Sequence, residues 1–270
     1  MTRPEQSGPV ERLVRHDQWI VATAATVIVL LAGIYTYAGV GMGMSAAEMT
    51  RMAGPIGKPM SMGPQPVWTV GYAVVMFFMW WIMMIAMMTP SAAPMLLLYS
   101  AIKRMGPEDD RVVAFSIVFL SGYLTVWGVF SIAAIGLQWS VETLGISDGP
   151  MMTIKSRGFA AALLIGAGIY QFTSLKESCL TLCRSPAQFL SEHQKPGLWG
   201  AFQTGARHGV FCVGCCWALM VLLFVGGVMN LFWIVGLALY VLAEKFAPNP
   251  RLFSRITGAC LIIAGLGLLF

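Results

Sequence analysis

Long apolar runs separated by short polar segments dominate the pattern of this chain. Each run is roughly 20 residues long, the length that a helix needs to cross about 30 Å of hydrocarbon. The charged side chains gather between the runs. The pattern therefore predicts an all-α fold, a polytopic transmembrane helical bundle of about seven spans. The predicted spans are Trp19–Ala38, Val67–Met88, Val113–Leu137, Phe159–Leu175, His208–Val225, Val228–Ala243 and Ser254–Phe270.

Composition supports a membrane protein. Hydrophobic residues make up 57% of the 270 residues and charged residues only 11%, whereas soluble domains carry roughly 25% charged residues. We expect residues 1–17 to form a cytoplasmic N-terminal arm and residues 18–270 to form a single transmembrane domain. The arm lacks the apolar core and cleavage site of a signal peptide, so the first span should be retained. The expected partner is the lipid bilayer, and no nucleic acid is expected.

The distribution of Lys and Arg predicts the orientation. Most of the 17 basic residues fall in the N-terminal arm and in every second loop after it, whereas the other loops hold only Arg51, Lys58, Lys155 and Arg157. Cytoplasmic loops are enriched in Lys and Arg, which places the N-terminus in the cytoplasm and the C-terminus outside. All six cysteines then lie toward the cytoplasmic side, where thiols stay reduced and metal binding or redox chemistry is favoured over structural disulfides.

The strongest candidate site is a cluster at the start of the fifth span, His208, Cys212, Cys215 and Cys216. On a helix these positions fall within an arc of roughly 100°, which places them on one face. Thiolate and imidazole are soft or borderline metal ligands. Each cysteine could also be a small buried apolar residue, but that explains neither the spacing nor the added histidine.

Two further groups of sulfur atoms reach the same layer. Cys179 and Cys183 are one helical turn apart at the cytoplasmic end of the fourth span. The second span carries a methionine stripe whose cytoplasmic half should lie level with the cysteines, although methionine is also a common core filler. Cys260 falls at a similar depth and is left open as a ligand. The methionines included in the predicted site are Met83, Met84, Met87 and Met88.

Sulfur contributed by four spans predicts one shared metal site. Thiolate, thioether and imidazole together favour Cu(I), with zinc next. Hard oxygen ligands are nearly absent from the spans, with the exception of Glu244. For Glu244 the favoured interpretation is a Glu244–Lys245 pair that extends to the membrane interface.

The first outside loop is rich in methionine, glycine and proline, and it carries two Met-x-Met pairs. A thioether has no proton to lose, so such pairs could hold Cu(I) over a wide pH range. The alternative is an apolar loop that lies along the membrane without binding metal. The possible outer metal loop consists of Met42, Met44, Met60 and Met62.

These motifs resemble those of a bacterial family of predicted metal-binding integral membrane proteins that is named as a domain of unknown function. The resemblance implies a multi-pass protein of the bacterial inner membrane that binds metal, without a proven activity. The family pattern has Pro at the position of Ser174, which puts a local kink in question. The matching stretches are Met83–Pro94, Tyr170–Pro186, Cys212–Met220 and the pair Glu244-Lys245.

Three functions are compatible with these residues. The leading hypothesis is a copper transporter or membrane metallochaperone that passes Cu(I) from outer methionines to inner cysteines, with a soluble metallochaperone or a membrane complex as partner. The second is a thiol–disulfide relay enzyme using the Cys-x-x-Cys of Cys212 and Cys215. The third is a structural subunit of a larger membrane complex. Enzymatic activity is not favoured, because Cys216 and the methionines have no role in a relay.

Overall fold

The computed structural model describes residues 9–54, 67–106, 108–148 and 152–270, with only the backbone of residues 9–17. The described chain is nearly all helical, as predicted. It adds one short antiparallel ribbon, β1 (Ser147–Asp148) with β2 (Thr153–Ile154), that the sequence analysis did not predict. The helices are α1 (Pro9–Ala38), α2 (Ala46–Arg51), α3 (Val70–Arg104), α4 (Val112–Thr143, preceded by a 3-10 turn at Asp109–Arg111), α5 (Arg157–Tyr170), α6 (Ser174–Arg184), α7 (Pro186–His193), α8 (Gly197–Val221), α9 (Leu223–Gly226), α10 (Leu231–Phe246) and α11 (Pro250–Gly267).

Four helical stretches of the described chain are long and apolar enough to cross a membrane. A fifth crossing is available if α5 and α6, which are bent by 64° at their junction, form one broken span. Helices α10 and α11 have 16 and 18 residues, or about 24 and 27 Å at about 1.5 Å per residue, slightly less than the hydrocarbon thickness of about 30 Å. Seven crossings therefore stay a prediction. The four long stretches are Gln18–Ala38, Val70–Arg104, Asp109–Thr143 and Gly197–Gly226.

The predicted fourth span, Phe159–Leu175, is not one continuous helix. Helix α5 ends at Tyr170, and α6 starts after Thr173, whose hydroxyl accepts a hydrogen bond from the backbone N–H of Lys176 at 3.3 Å. This N-cap stabilises a new helix start in a new direction. The break thus forms with Ser174, and not a proline, at the first position of α6.

Two helix starts differ from the predicted boundaries. Helix α8 begins at Gly197, directly after Pro196, so that His208 lies well inside it and not at its start. Helix α1 begins at Pro9, within the predicted N-terminal arm. In both cases an amphipathic or polar segment continues the helix beyond its apolar run, which hydropathy alone does not reveal.

Glycines bring α4 and α8 into close contact. A Cβ on Gly205 would lie 1.9 Å from the carbonyl oxygen of Phe119, and a Cβ on Gly122 would lie 2.2 Å from that of Phe202. No larger residue fits at these positions, and small residues of this kind are how membrane helices approach one another closely. The contact places Tyr123 of α4 beside the cysteines of α8.

Candidate metal centre

Three buried thiols form the centre of the candidate site. The Sγ atoms of Cys183 from α6 and of Cys212 and Cys215 from α8 all lie within 4.8 Å of one another. We call these residues the thiol triad. A metal–thiolate bond is about 2.3 Å long, so two sulfurs on one ion lie at most about 4.6 Å apart. The sulfur separations of the triad are therefore close to those of a site for one soft cation.

Gly214 allows α6 to approach α8 at the triad. A Cβ on Gly214 would lie 2.7 Å from Sγ of Cys179, and the Tyr170 hydroxyl donates a hydrogen bond to the Gly214 carbonyl. The glycine inside the Cys-Val-Gly-Cys sequence is thus required by packing. Cys179 lies against this glycine, beside the triad and not within it.

A second pair of sulfurs lies next to the triad. The thiols of Cys215 and Cys216 donate to the carbonyl of Cys212 at 3.1 and 2.9 Å. Sγ of Cys216 lies 4.0 Å from Sδ of Met88 on α3. The other predicted span-two ligands, Met83, Met84 and Met87, are buried in the same core.

Tyr123 contacts the triad and was not identified from the sequence. Its hydroxyl donates to the Met88 carbonyl at 3.1 Å and lies 3.2 Å from Sγ of Cys212. A buried tyrosine normally finds a polar partner for its hydroxyl. A tyrosine in the middle of an apolar span therefore indicates a polar group nearby, and this signal could have identified Tyr123 from the sequence.

Lys245 also reaches the triad. Its Nζ lies 3.4 Å from Sγ of Cys212 and donates to Oγ of Ser91 at 2.9 Å. The residue is 7% exposed. The predicted Glu244–Lys245 interface pair is therefore wrong, because the Lys245 side chain is directed into the protein, toward the thiols.

Glu244 pairs with a different lysine. Its carboxylate lies 2.9 Å from Nζ of Lys176, and both side chains are 1% exposed. The carboxylate also accepts hydrogen bonds from Ser254 at 2.6 Å and Tyr240 at 3.0 Å, and Lys176 donates to the carbonyl of Cys215 at 3.0 Å. Lys176 and Lys245 both lie in helices and are buried, so neither adds to the surplus of loop Lys and Arg that predicts the orientation.

His208 lies one helical turn before Cys212 and is completely buried. Its ring stacks on those of Tyr123 and Phe119 at centroid distances of 5.5 and 6.3 Å, and it meets the Phe189 ring edge-on at 5.5 Å. Among the described residues, neither ring nitrogen has a hydrogen-bond partner. The predicted ligand His208 is thus adjacent to the triad, in an aromatic environment, and is not part of it.

The sequence model of a family described as PpoB2, copper chaperone, matches residues 77–268 of this chain, well over half of its length. The chain belongs to this copper chaperone family. Membership is consistent with the metal-binding family that the motifs resemble, and it associates the protein with copper. No curated protein and no solved structure matches the chain.

The donors of this copper chaperone family member suit a soft ion. The triad offers three sulfurs, with a fourth thiol and a thioether adjacent, and soft sulfur ligands favour Cu(I). The nearby carboxylate of Glu244 is bound to Lys176. Hard cations such as Mg²⁺ and Ca²⁺ require oxygen ligands, which this arrangement does not offer.

The remaining predicted sulfur ligands lie elsewhere. Met42 and Met44, between α1 and α2, are partly buried against the core. Met60 and Met62 fall outside the described residues. Cys260 is exposed on α11, whereas the other five cysteines are buried.

Proposed function

We propose that this protein is a membrane-embedded Cu(I) chaperone that holds its cargo between Cys183, Cys212 and Cys215 and transfers it to a partner protein. The observation that carries the proposal is the buried, sulfur-only triad in a member of a copper chaperone family. Burial protects the ion from water, and sulfur ligands retain a soft monovalent ion.

The neighbouring sulfurs suggest how the cargo would move. A thioether is a neutral and therefore weaker ligand than a thiolate, so Met88, next to Cys216, offers an exchangeable position beside a tighter one. We propose that copper enters from the outer methionine loop and passes to the triad. This direction runs from weaker to stronger ligands.

The proposed setting is a bacterial inner membrane, with the N-terminus in the cytoplasm and the C-terminus outside. The recipient in this proposal is a soluble metallochaperone or a protein of a membrane complex. Zinc could occupy the same thiols, because zinc also binds thiolates, but structural zinc sites use four ligands and the triad supplies three.

The test is anaerobic titration of the purified full-length protein with Cu(I) in competition with a chromophoric chelator. We expect wild type to retain about one Cu(I) tightly, because three thiols can share one soft ion. The triple variant C183S/C212S/C215S should lose at least about a hundredfold in affinity. The matched control is C260S, which removes an exposed thiol on α11 and should retain copper as wild type does.

Retention of copper by the triple variant would place the metal elsewhere and reject the proposed site. A second outcome would favour the thiol–disulfide relay enzyme over the chaperone. If copper content does not respond to the serine substitutions while Cys212 and Cys215 form a reversible disulfide, a redox enzyme is the better description. Thiol trapping with mass spectrometry distinguishes that outcome.

A further inference from the structure

The ammonium group of Lys245 lies next to the proposed metal site, where it repels a bound cation. The Nζ of Lys245 lies 3.4 Å from Sγ of Cys212. The ionisable groups whose charges interact with it are the thiols of the triad, Cys216, Tyr123 and His208. Within the described part of the chain, no carboxylate lies at ion-pair distance from Lys245.

We propose that Lys245 determines the charge selectivity of the triad, favouring a monovalent ion such as Cu(I) over a divalent ion such as Zn(II). The inference rests on the proposed function, since it assumes that the triad binds a metal. Thiolates alone do not provide this selectivity, because they also bind zinc tightly. A fixed positive charge at the site provides a discrimination that sulfur does not.

The physical basis is the dependence of Coulomb energy on charge. An ion bound to Cys212 lies within about 6 Å of the ammonium, which is the 3.4 Å contact plus a bond of about 2.3 Å. Both groups are buried, so solvent ions screen the repulsion little. Repulsion from the same ammonium is twice as large for a divalent as for a monovalent ion. Lys245 therefore weakens Zn(II) binding more than Cu(I) binding.

The surroundings hold the ammonium in place. Its Nζ is fixed by Ser91 on α3. The backbone at this end of α10 is held by Arg184, which donates to the carbonyls of Lys245 at 2.7 Å and Ala247 at 2.5 Å. These contacts hold the ammonium beside Cys212, so its repulsion acts on an ion bound there.

Lys176 provides the matched control. It is buried beside the same helix, but Glu244 neutralises it at 2.9 Å. Removing both partners in K176M/E244Q leaves the net charge unchanged. That variant disturbs packing near Cys215 and should not alter the preference between ions of different charge.

The experiment compares pairs of ions with the same electron count and different charge, Cu(I) with Zn(II) and Ag(I) with Cd(II). Affinities are measured by chelator competition on full-length wild type, K245M, K245R and K176M/E244Q. If K245M raises the affinity for the monovalent ion n-fold, the divalent affinity should rise about n-squared-fold. We expect the ratio of divalent to monovalent affinity in K245M to rise by on the order of tenfold or more.

K245R keeps the charge, so its ratio of divalent to monovalent affinity should stay within about threefold of that of wild type. A second neutral variant, K245Q, can still form a hydrogen bond to Ser91. The same ratio of affinities is measured on K245Q if K245M does not fold.

An equal change in both affinities in K245M and K245Q would reject the selectivity role and leave Lys245 as a packing residue. A shift of the ratio in K176M/E244Q as large as that in K245M would also reject it. If wild type binds none of the four ions, the proposed function itself fails, and the selectivity inference fails with it.

Discussion

Two buried lysines, close together, have opposite surroundings. At the junction of α6, α10 and α11, Lys176 faces the Glu244 carboxylate and the ion pair is closed by Ser254 and Tyr240. In the thiol triad, Lys245 faces Sγ of Cys212. Glu244 and Lys245 are adjacent in sequence, but successive helix residues point about 100° apart. One turn of α10 therefore supplies a carboxylate to one region and, to the other, an ammonium group that faces a thiol and has no carboxylate partner. Burial alone does not reveal what a lysine does.

The largest effect on stability should come from breaking the ion pair between Lys176 and Glu244. E244A leaves the Lys176 ammonium buried without its partner, which typically costs about 3–5 kcal/mol of unfolding free energy. Unfolding of the metal-free protein in mixed micelles, followed by circular dichroism, measures this loss. K176M/E244L should recover most of it, because an apolar pair of similar size replaces the ion pair. If E244A unfolds like wild type, the pair is not buried as described, and the contrast between the two lysines disappears.

A smaller effect on stability is expected from replacing Lys245. K245M removes a buried charge that has no carboxylate partner and also loses the hydrogen bond to Ser91. These contributions oppose each other, and a single hydrogen bond is worth about 1 kcal/mol net. The stability of metal-free K245M should therefore stay within about 1 kcal/mol of wild type in the same unfolding assay. A loss as large as that of E244A would mean that Lys245 is structural in the same way as Lys176.

The smallest effect concerns a third lysine, Lys103, at the end of α3. It donates to Glu108, which also accepts the backbone N–H of Gly197 at 3.0 Å and so connects α3 to the start of α8. The hydrogen bond from Lys103 is the main reason that the pKa of Glu108 lies below its ordinary value. A lowered carboxyl pKa stabilises the fold above the unfolded-state pKa, and this contribution is lost as the pH falls through the lowered folded value.

We therefore expect E108Q to cost about 1 kcal/mol or less near neutral pH, since partly exposed ion pairs contribute little. The difference from wild type should shrink as the pH falls through the lowered carboxyl pKa. Melting temperatures measured over a pH series check this. A difference that does not change with pH would assign the effect to the Gly197 contact and not to charge.

Hydrophobic periodicity predicted much of the helical fold, and helical spacing correctly grouped Cys212 and Cys215 on one face of α8. The break after Tyr170 was missed because the predicted span was extended through the mostly polar residues 171–174, among which Thr173 caps the new helix. Lys176 and Lys245 follow the ends of two predicted spans, where a lysine usually extends to the membrane interface. Their burial depends on partners from other helices, which a single sequence does not reveal.

The thiol triad is divided unequally, with one sulfur on the short helix α6 and two on the long helix α8. An ion bound to all three sulfurs would join two separate helices, as a removable crosslink does. A ligand that binds only this arrangement stabilises it by a free energy that grows with the logarithm of its affinity. Cargo binding and the contact between α6 and α8 would then stabilise each other. A recipient that moves α6 away would leave the ion on two sulfurs of one helix, the weaker state from which release begins.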